Sequence, residues 1–211
     1  MVDSVTSANV PDGMNPDAAA SWPPRGLIDS FLGGGSSNEF AWRPGEVVQI
    51  DGEEAQAAAR KFRDVLGRYA SGVTVITTIH GGKPVGMTCQ SFTSVSLDPP
   101  LVAFLPMKTS RAFAAIQLSR RFCVNFLAAD QADTSNHFAS RIEDKFDGVE
   151  WTPTQGGVPL LNGVAGWVDC VVESVYEAGD HYLVIGRVED LGVGESDDPL
   201  LFHRGQYRTT T

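Results

Sequence analysis

Residues 84–102 read PVGMTCQSFTSVSLDPPLV. Thr88, Gln90, Ser91, Thr93, Ser94 and Ser96 place six short polar side chains within nine positions, interleaved with Met87, Phe92, Val95 and Leu97. Alternation of this kind marks a half-buried strand, and Asp98-Pro99-Pro100 stops it because proline cannot donate to a ladder. The polar side chains have two uses open to them. They can be the wet face of an ordinary edge strand, or they can be hydrogen-bonding groups for a bound anion or a polar ring edge.

The neighbouring segments continue the β pattern. Upstream, Val73–Thr78 is β-branched, and Gly81-Gly82 makes a tight turn into Pro84–Cys89. Before that, Ala55, Ala58, Ala59, Phe62, Val65, Leu66 and Tyr69 follow a helical period, which Gly72 ends. Asp51 with Glu54 offers a capping pair at its start. Downstream, Leu101–Leu105 and Arg121–Leu127 read as strands, and Thr109 or Ser110 can cap a helix through Leu118. Asp130 opens a helix through about Ser140, with Asp133 in its first turn. Val164–Glu177 and His181–Leu191 are two long strands, and Ala178-Gly179-Asp180 joins them as a hairpin. The expected fold is mainly β with peripheral helices, its mostly antiparallel strands forming a closed or nearly closed barrel.

Composition divides the 211 residues in two. Residues 1–50 form an irregular arm with Pro11, Pro16, Pro23, Pro24 and Pro44, yet they also hold Trp22, Phe31, Phe40 and Trp42. Residues 1–57 carry nine acids and two bases, against seventeen acids and fourteen bases in the rest. Residues 51–211 are the expected domain. A net charge of −10 argues against nucleic acid, which needs clustered Lys and Arg. Cys89, Cys123 and Cys170 have neither C-x-x-C spacing nor a nearby paired His, so no metal or disulfide framework is expected, and buried free thiols suit a reducing cytoplasm. With no basic-then-apolar leader and no apolar run of spanning length, a soluble cytoplasmic protein without membrane contact is expected. There is no G-x-S-x-G, H-E-x-x-H, Walker A or G-x-G-x-x-G pattern.

The wording of several segments carries a resemblance. The Pro84–Ser91 stretch, SGVTVITT (71–78), PMKTSR (106–111), RFCVNFL (121–127), GDH (179–181) and LLFHRGQY (200–207) occur in order over about 150 residues. Together they resemble the flavin reductase-like family, the FMN-binding split barrels of Greek-key type. Within it they are most similar to reductase components that serve phenol and secosteroid hydroxylases. The resemblance implies an NADH-dependent flavin reductase that passes a hydride from nicotinamide C4 to flavin N5. The reduced FMN or FAD would then diffuse to an oxygenase component. It also implies a homodimer, and it leaves FMN against FAD and NADH against NADPH open.

By the same resemblance, Pro84, Val85, Gly86, Met87, Thr88, Gln90 and Ser91 would line the flavin ring and its ribityl chain. Leu105, Pro106, Met107, Lys108, Thr109, Ser110 and Arg111 would cradle its phosphate, a role that two cations at a helix start also suit. Ala139 and Ser140 would approach the distal part of an FAD. Asn125, a polar residue in an apolar strand, would contact the flavin or else satisfy a core backbone group. His181 is the catalytic candidate, beside the nicotinamide. His203, Arg204, Gly205 and Tyr207 would reach the dinucleotide, or else form a C-terminal strand packed on the barrel. A non-catalytic flavin carrier or sensor of the same fold is the alternative, but it has no use for GDH.

Overall fold

The computed structural model describes residues 52–210. The arm 1–50 and Asp51 of the capping pair lie outside the described residues. Helix α1 (Glu53–Leu66) starts from Gly52, with no side-chain cap, and ends at Gly67. Short β1 (Ser71–Gly72) leads into β2 (Thr74–His80), β3 (Lys83–Cys89), β4 (Thr93–Leu97) and β5 (Pro100–Phe104). Gly81 and Gly82 turn the β2–β3 hairpin with φ of +56° and +76°, a conformation that favours glycine. Helix α2 (Arg111–Ser119) follows, its N-cap Ser110 Oγ accepting from the Phe113 N–H at 3.2 Å. Next come β6 (Arg121–Phe126), α3 (Ala132–Ala139) and the hairpin β7 (Trp151–Pro153) with β8 (Pro159–Leu161). The long β9 (Gly166–Ala178) and β10 (His181–Val193) precede a small hairpin, β11 (Leu201–His203) and β12 (Gln206–Arg208).

Seven strands form one antiparallel sheet in the order β3-β2-β6-β9-β10-β5-β4, and β1 joins β11 and β12 in a second. The hydrogen-bonded ladder does not close, because β3 and β4 are both edges. The chain between them leaves the ladder at Gln90–Phe92, and β4 turns back onto β5. This is a split barrel.

β2 reads as a continuous buried run because both of its faces are covered. Ile76 faces a cluster with Phe104, Phe113, Phe122, Val124, Cys170 and Val184. Its neighbours Val73 and Val75 face a second cluster with Leu127, Phe138, Phe146, Leu161 and Leu200. Each fully buried Phe contributes ~1.5–3 kcal/mol. Helix α2 packs onto the barrel through the first cluster, with every residue from Ala112 to Gln117 buried. The β7–β8 hairpin was not anticipated, whereas β11 and β12 fall where a C-terminal strand was one of the two alternatives. Pro153, Gly156, Gly157 and Pro159 read as loop, but they flank a turn in which Thr154 N–H donates to the Val158 carbonyl. No helix among the described residues is long and apolar enough to cross a membrane.

Candidate functional site

Register builds the site. β10 pairs with β5 so that Val184 lies opposite Phe104. Carried past the end of β5, the same register puts Tyr182 N–H on the Pro106 carbonyl at 2.9 Å, Met107 opposite His181, and Lys108 N–H on the Asp180 carbonyl at 3.0 Å. The ribbon 105–110 is therefore an irregular continuation of β5, held along the GDH turn.

On its other side the ribbon meets β3. Ser91 Oγ accepts from the Leu105 N–H at 2.9 Å and donates to the Leu105 carbonyl at 3.2 Å. At the far end, Ser110 Oγ donates to Met87 Sδ at 3.1 Å. Three segments, 87–91, 105–110 and 180–182, thus lie side by side. Met87, Met107, Lys108, Thr109, Ser110, Arg111 and His181 are all half-buried. Pro84 is compatible with β3 because β3 is an edge.

Helix α3 covers the middle of β3. A Cβ on Gly86 would stand 2.7 Å from the Phe138 ring, so only glycine permits this approach. Thr88 Oγ1 donates to the Ser135 carbonyl at 2.6 Å. Ala139 and Ser140 end this helix, and Ser140 Oγ donates to the His137 carbonyl at 2.7 Å.

His181 has a fixed ring. Its Nδ1 lies 2.7 Å from Asp180 Oδ1. The His181 hydrogen bond holds the Asp180 carboxyl below its usual range, more than offsetting the slight desolvation that pushes the other way. An ionised carboxylate only accepts, so Nδ1 carries the proton and Nε2 is the nitrogen directed away from Asp180. Asp180 is a positioning residue that the sequence reading left out of the site. Lys108 Nζ is paired with Glu177 Oε2 at 3.0 Å and lies 5.5 Å from the centre of the Tyr182 ring.

The remaining expected residues separate. Asn125 takes the core role of its two alternatives: it is fully buried, donates to the Val75 carbonyl and to Thr77 Oγ1, and accepts from the Leu161 N–H. Its expected flavin contact is replaced by the job of anchoring β8. Tyr207 Oη donates to Ser135 Oγ at 2.9 Å or Asn136 Oδ1 at 2.8 Å, which brings the C-terminal hairpin to α3. His203 ends β11, Arg204 and Gly205 form the hairpin turn with positive φ, and Arg204 N–H donates to the Gly67 carbonyl. Cys89 is buried with its thiol pushed up, chiefly by desolvation, which suits packing rather than redox chemistry. No group of three metal-binding side chains occurs among the described residues.

Lys145 is the residue that sequence reading missed. Between Asp144 and Phe146 it looks like a solvated loop lysine. Instead its Nζ donates to the Phe138 carbonyl at 2.6 Å. Burial, with the Arg111 guanidinium nearby, pulls its pKa down to about 8.

An open antiparallel split barrel with a hydroxyl-rich edge strand and a histidine poised at its rim defines a class, the nucleotide-binding split barrels. Sequence comparison refines it. The family model for the flavin reductase like domain matches residues 66–211. The reductase subunit HsaB of a flavin-dependent monooxygenase from Rhodococcus jostii is 50% identical over 163 residues, covering 75% of this chain and 84% of that protein. A nitrilotriacetate monooxygenase component B from Mycobacterium thermoresistibile superposes with a TM-score of 0.72 at 47% identity, covering 74% of this chain and 88% of the other. The Streptomyces globisporus NADH:FAD oxidoreductase SgcE6, solved with NAD and FAD fragments, gives a TM-score of 0.69 at 35% identity, covering 74% and 94%. This chain belongs to the flavin reductase-like family.

Proposed function

We propose that this chain is an NADH:flavin oxidoreductase that supplies reduced FMN or FAD to a separate monooxygenase component. One observation carries the reading: the half-buried ribbon 105–110 is set by register along His181, hydrogen-bonded to Asp180, and is tied on its other side to Met87 of edge strand β3 and to Ser91 just beyond it. These residues fit a flavin. An edge strand has backbone groups without a strand partner for a polar ring edge. Gly86 and Met87 provide apolar surface, and Arg111 supplies positive charge where a phosphate ester would end.

The bound flavin supplies the hydride acceptor, N5, for the nicotinamide C4 of NADH. The chain's own work is positional. Pro84–Thr88, Gln90 and Ser91 hold and orient the ring. Leu105–Arg111 bound it on the opposite side, and Ala139 with Ser140 lie toward the tail of a dinucleotide. His181, fixed by Asp180, presents Nε2 to the nicotinamide or its carboxamide. The His203–Tyr207 hairpin is assigned to the remainder of the dinucleotide. No nucleophile is required.

The protein acts as a homodimer in this reading. Helix α1 has no buried residue in the single chain, and its apolar face is open, with Phe62 64% and Leu66 54% exposed. An apolar recess of about 230 Å³ lined by Gly72, Phe92, Phe126, Pro199 and Leu200 adds to this surface. Purified protein mixed with NADH and FMN, FAD or neither tests the activity, through loss of the nicotinamide absorbance. Turnover dependent on added flavin is expected. Flavin binding without turnover would favour a carrier or sensor, and no binding at all would remove the reading.

A further inference from the structure

The cation expected to serve the phosphate from the KTSR stretch is engaged elsewhere. Lys108 pairs with Glu177 and covers the Tyr182 ring, on the GDH side of the ribbon. Lys145 reaches the opposite side from a loop after α3. Its bond to the Phe138 carbonyl fixes the ammonium against the end of α3, the helix whose Phe138 ring covers Gly86 of β3. Met87, the next residue along β3, accepts from Ser110, which immediately precedes Arg111. β3, α3 and the start of α2 therefore meet at Gly86 and Met87, with Lys145 bound to α3 on one side of that meeting and Arg111 next to Ser110 on the other. Arg111 is near enough that its charge acts with burial to disfavour the protonated ammonium of Lys145. Two cations that flank one strand can share the oxygens of one oxyanion.

We infer that Lys145, together with Arg111, holds a phosphate-ester oxyanion of the bound flavin nucleotide. The inference rests on the flavin reductase reading above. The chemistry shared by the FMN monophosphate and the FAD pyrophosphate is what the pair recognises, and riboflavin, which has no phosphate, lacks it. Lys145 is thus a discriminating residue: it favours phosphorylated flavins and leaves the ring contacts to β3.

The test compares FMN, FAD and riboflavin binding, by quenching of flavin fluorescence, in the full-length protein and in Lys145→Met and Lys145→Arg. Loss of one charge-assisted contact should weaken FMN binding about 10- to 100-fold in Lys145→Met. Riboflavin binding should stay within about twofold, and Lys145→Arg should recover most of the FMN affinity. Equal weakening of FMN and riboflavin would show that Lys145 only props α3, and unchanged FMN binding would remove it from the site. A raised NADH requirement with unaltered FMN affinity would place its charge on the other dinucleotide and overturn the inference. If the parent protein bound none of the three flavins, the function reading itself would fall, a result distinguishable from the other three.

Discussion

The two edges of the seven-stranded sheet are managed in opposite ways. At one edge, β3 is half-buried, carries Pro84, and is clasped by Ser91, Ser110 and α3. At the other, β4 is open, with Leu97 95% exposed and Val95 beside it. Natural proteins protect edge strands with charge, proline or cover. β3 has the proline and the cover, and Thr88 with Gln90 and Ser91 just beyond its end suit a small polar ligand. β4 exposes apolar side chains, as do α1 and the end of β10 at Leu191 and Val193, and that chemistry suits another protein surface. On the reading proposed above, one edge would take the ligand and the other a second protein surface.

The sharpest way to break this division is Gly86→Val. The branched side chain would collide with Phe138, forcing α3 off β3, and flavin affinity should fall by more than about 100-fold, while overpacking costs ~1–3 kcal/mol of stability. Fluorescence titration with thermal melting checks both. At the association edge, Phe62→Glu or Leu97→Asp should lower the assembly mass from dimer to monomer in sedimentation at micromolar concentration. The single-chain fold should persist, because neither side chain is buried. A mass that stays at two chains would remove that surface from the interface.

His181→Ala should raise the NADH concentration required for half-maximal rate about tenfold and leave FMN affinity unaltered, since the ring is held from Asp180 and not from β3. Steady-state kinetics at saturating FMN, paired with a binding titration, separates the two. A loss of FMN affinity would show that the histidine belongs to the ligand edge itself.

The smallest effect expected is a pH dependence. In the free protein the Lys145 ammonium is disfavoured, so between about pH 8 and the ordinary lysine range the unfolded chain binds more protons than the folded one. Its contribution to stability therefore rises with pH across that window. A bound phosphate favours the charged form, so FMN affinity should be flat below about pH 8 and decline above it by at most about tenfold per unit. Arg111 of α2 acts on the Lys145 ammonium, the His137 ring nitrogen of α3 lies 3.0 Å from the Lys145 carbonyl, and Glu143, Asp144 and Asp147 are neighbours in sequence. Residues 84–88 of β3 hold no titratable side chain. Titrations of FMN and riboflavin from pH 7 to 10 should diverge, and parallel curves would contradict the assignment.

What could be read along the chain was whatever local pattern controls. The β-branched run of β2 and the apolar patterns of β6, β9 and β10 were legible, as were Gly81-Gly82 and a cap at Thr109 or Ser110. PMKTSR and GDH could be singled out by their wording. Their being side by side could not, because it follows from a pairing register between strands about 80 residues apart. Asn125 looked the same in sequence whether it served a ligand or the core. Only the fold shows its amide consumed by Val75, Thr77 and Leu161. Lys145 was hidden by its acidic neighbours, and the one hint was adjacency to Phe146, which is buried.

Ser91 has a consequence for traffic through the protein. In a closed barrel, opening a gap beside the ligand would mean tearing a ladder of backbone pairs. Here the corner where the chain leaves β3 is fastened to the ribbon by the Ser91 hydroxyl, with two bonds to Leu105, and further along by Ser110 on Met87, about 0.5–1.5 kcal/mol apiece. A cargo that must depart after every turnover needs an exit of that modest strength, and the unsealed corner offers one that leaves every strand pairing intact.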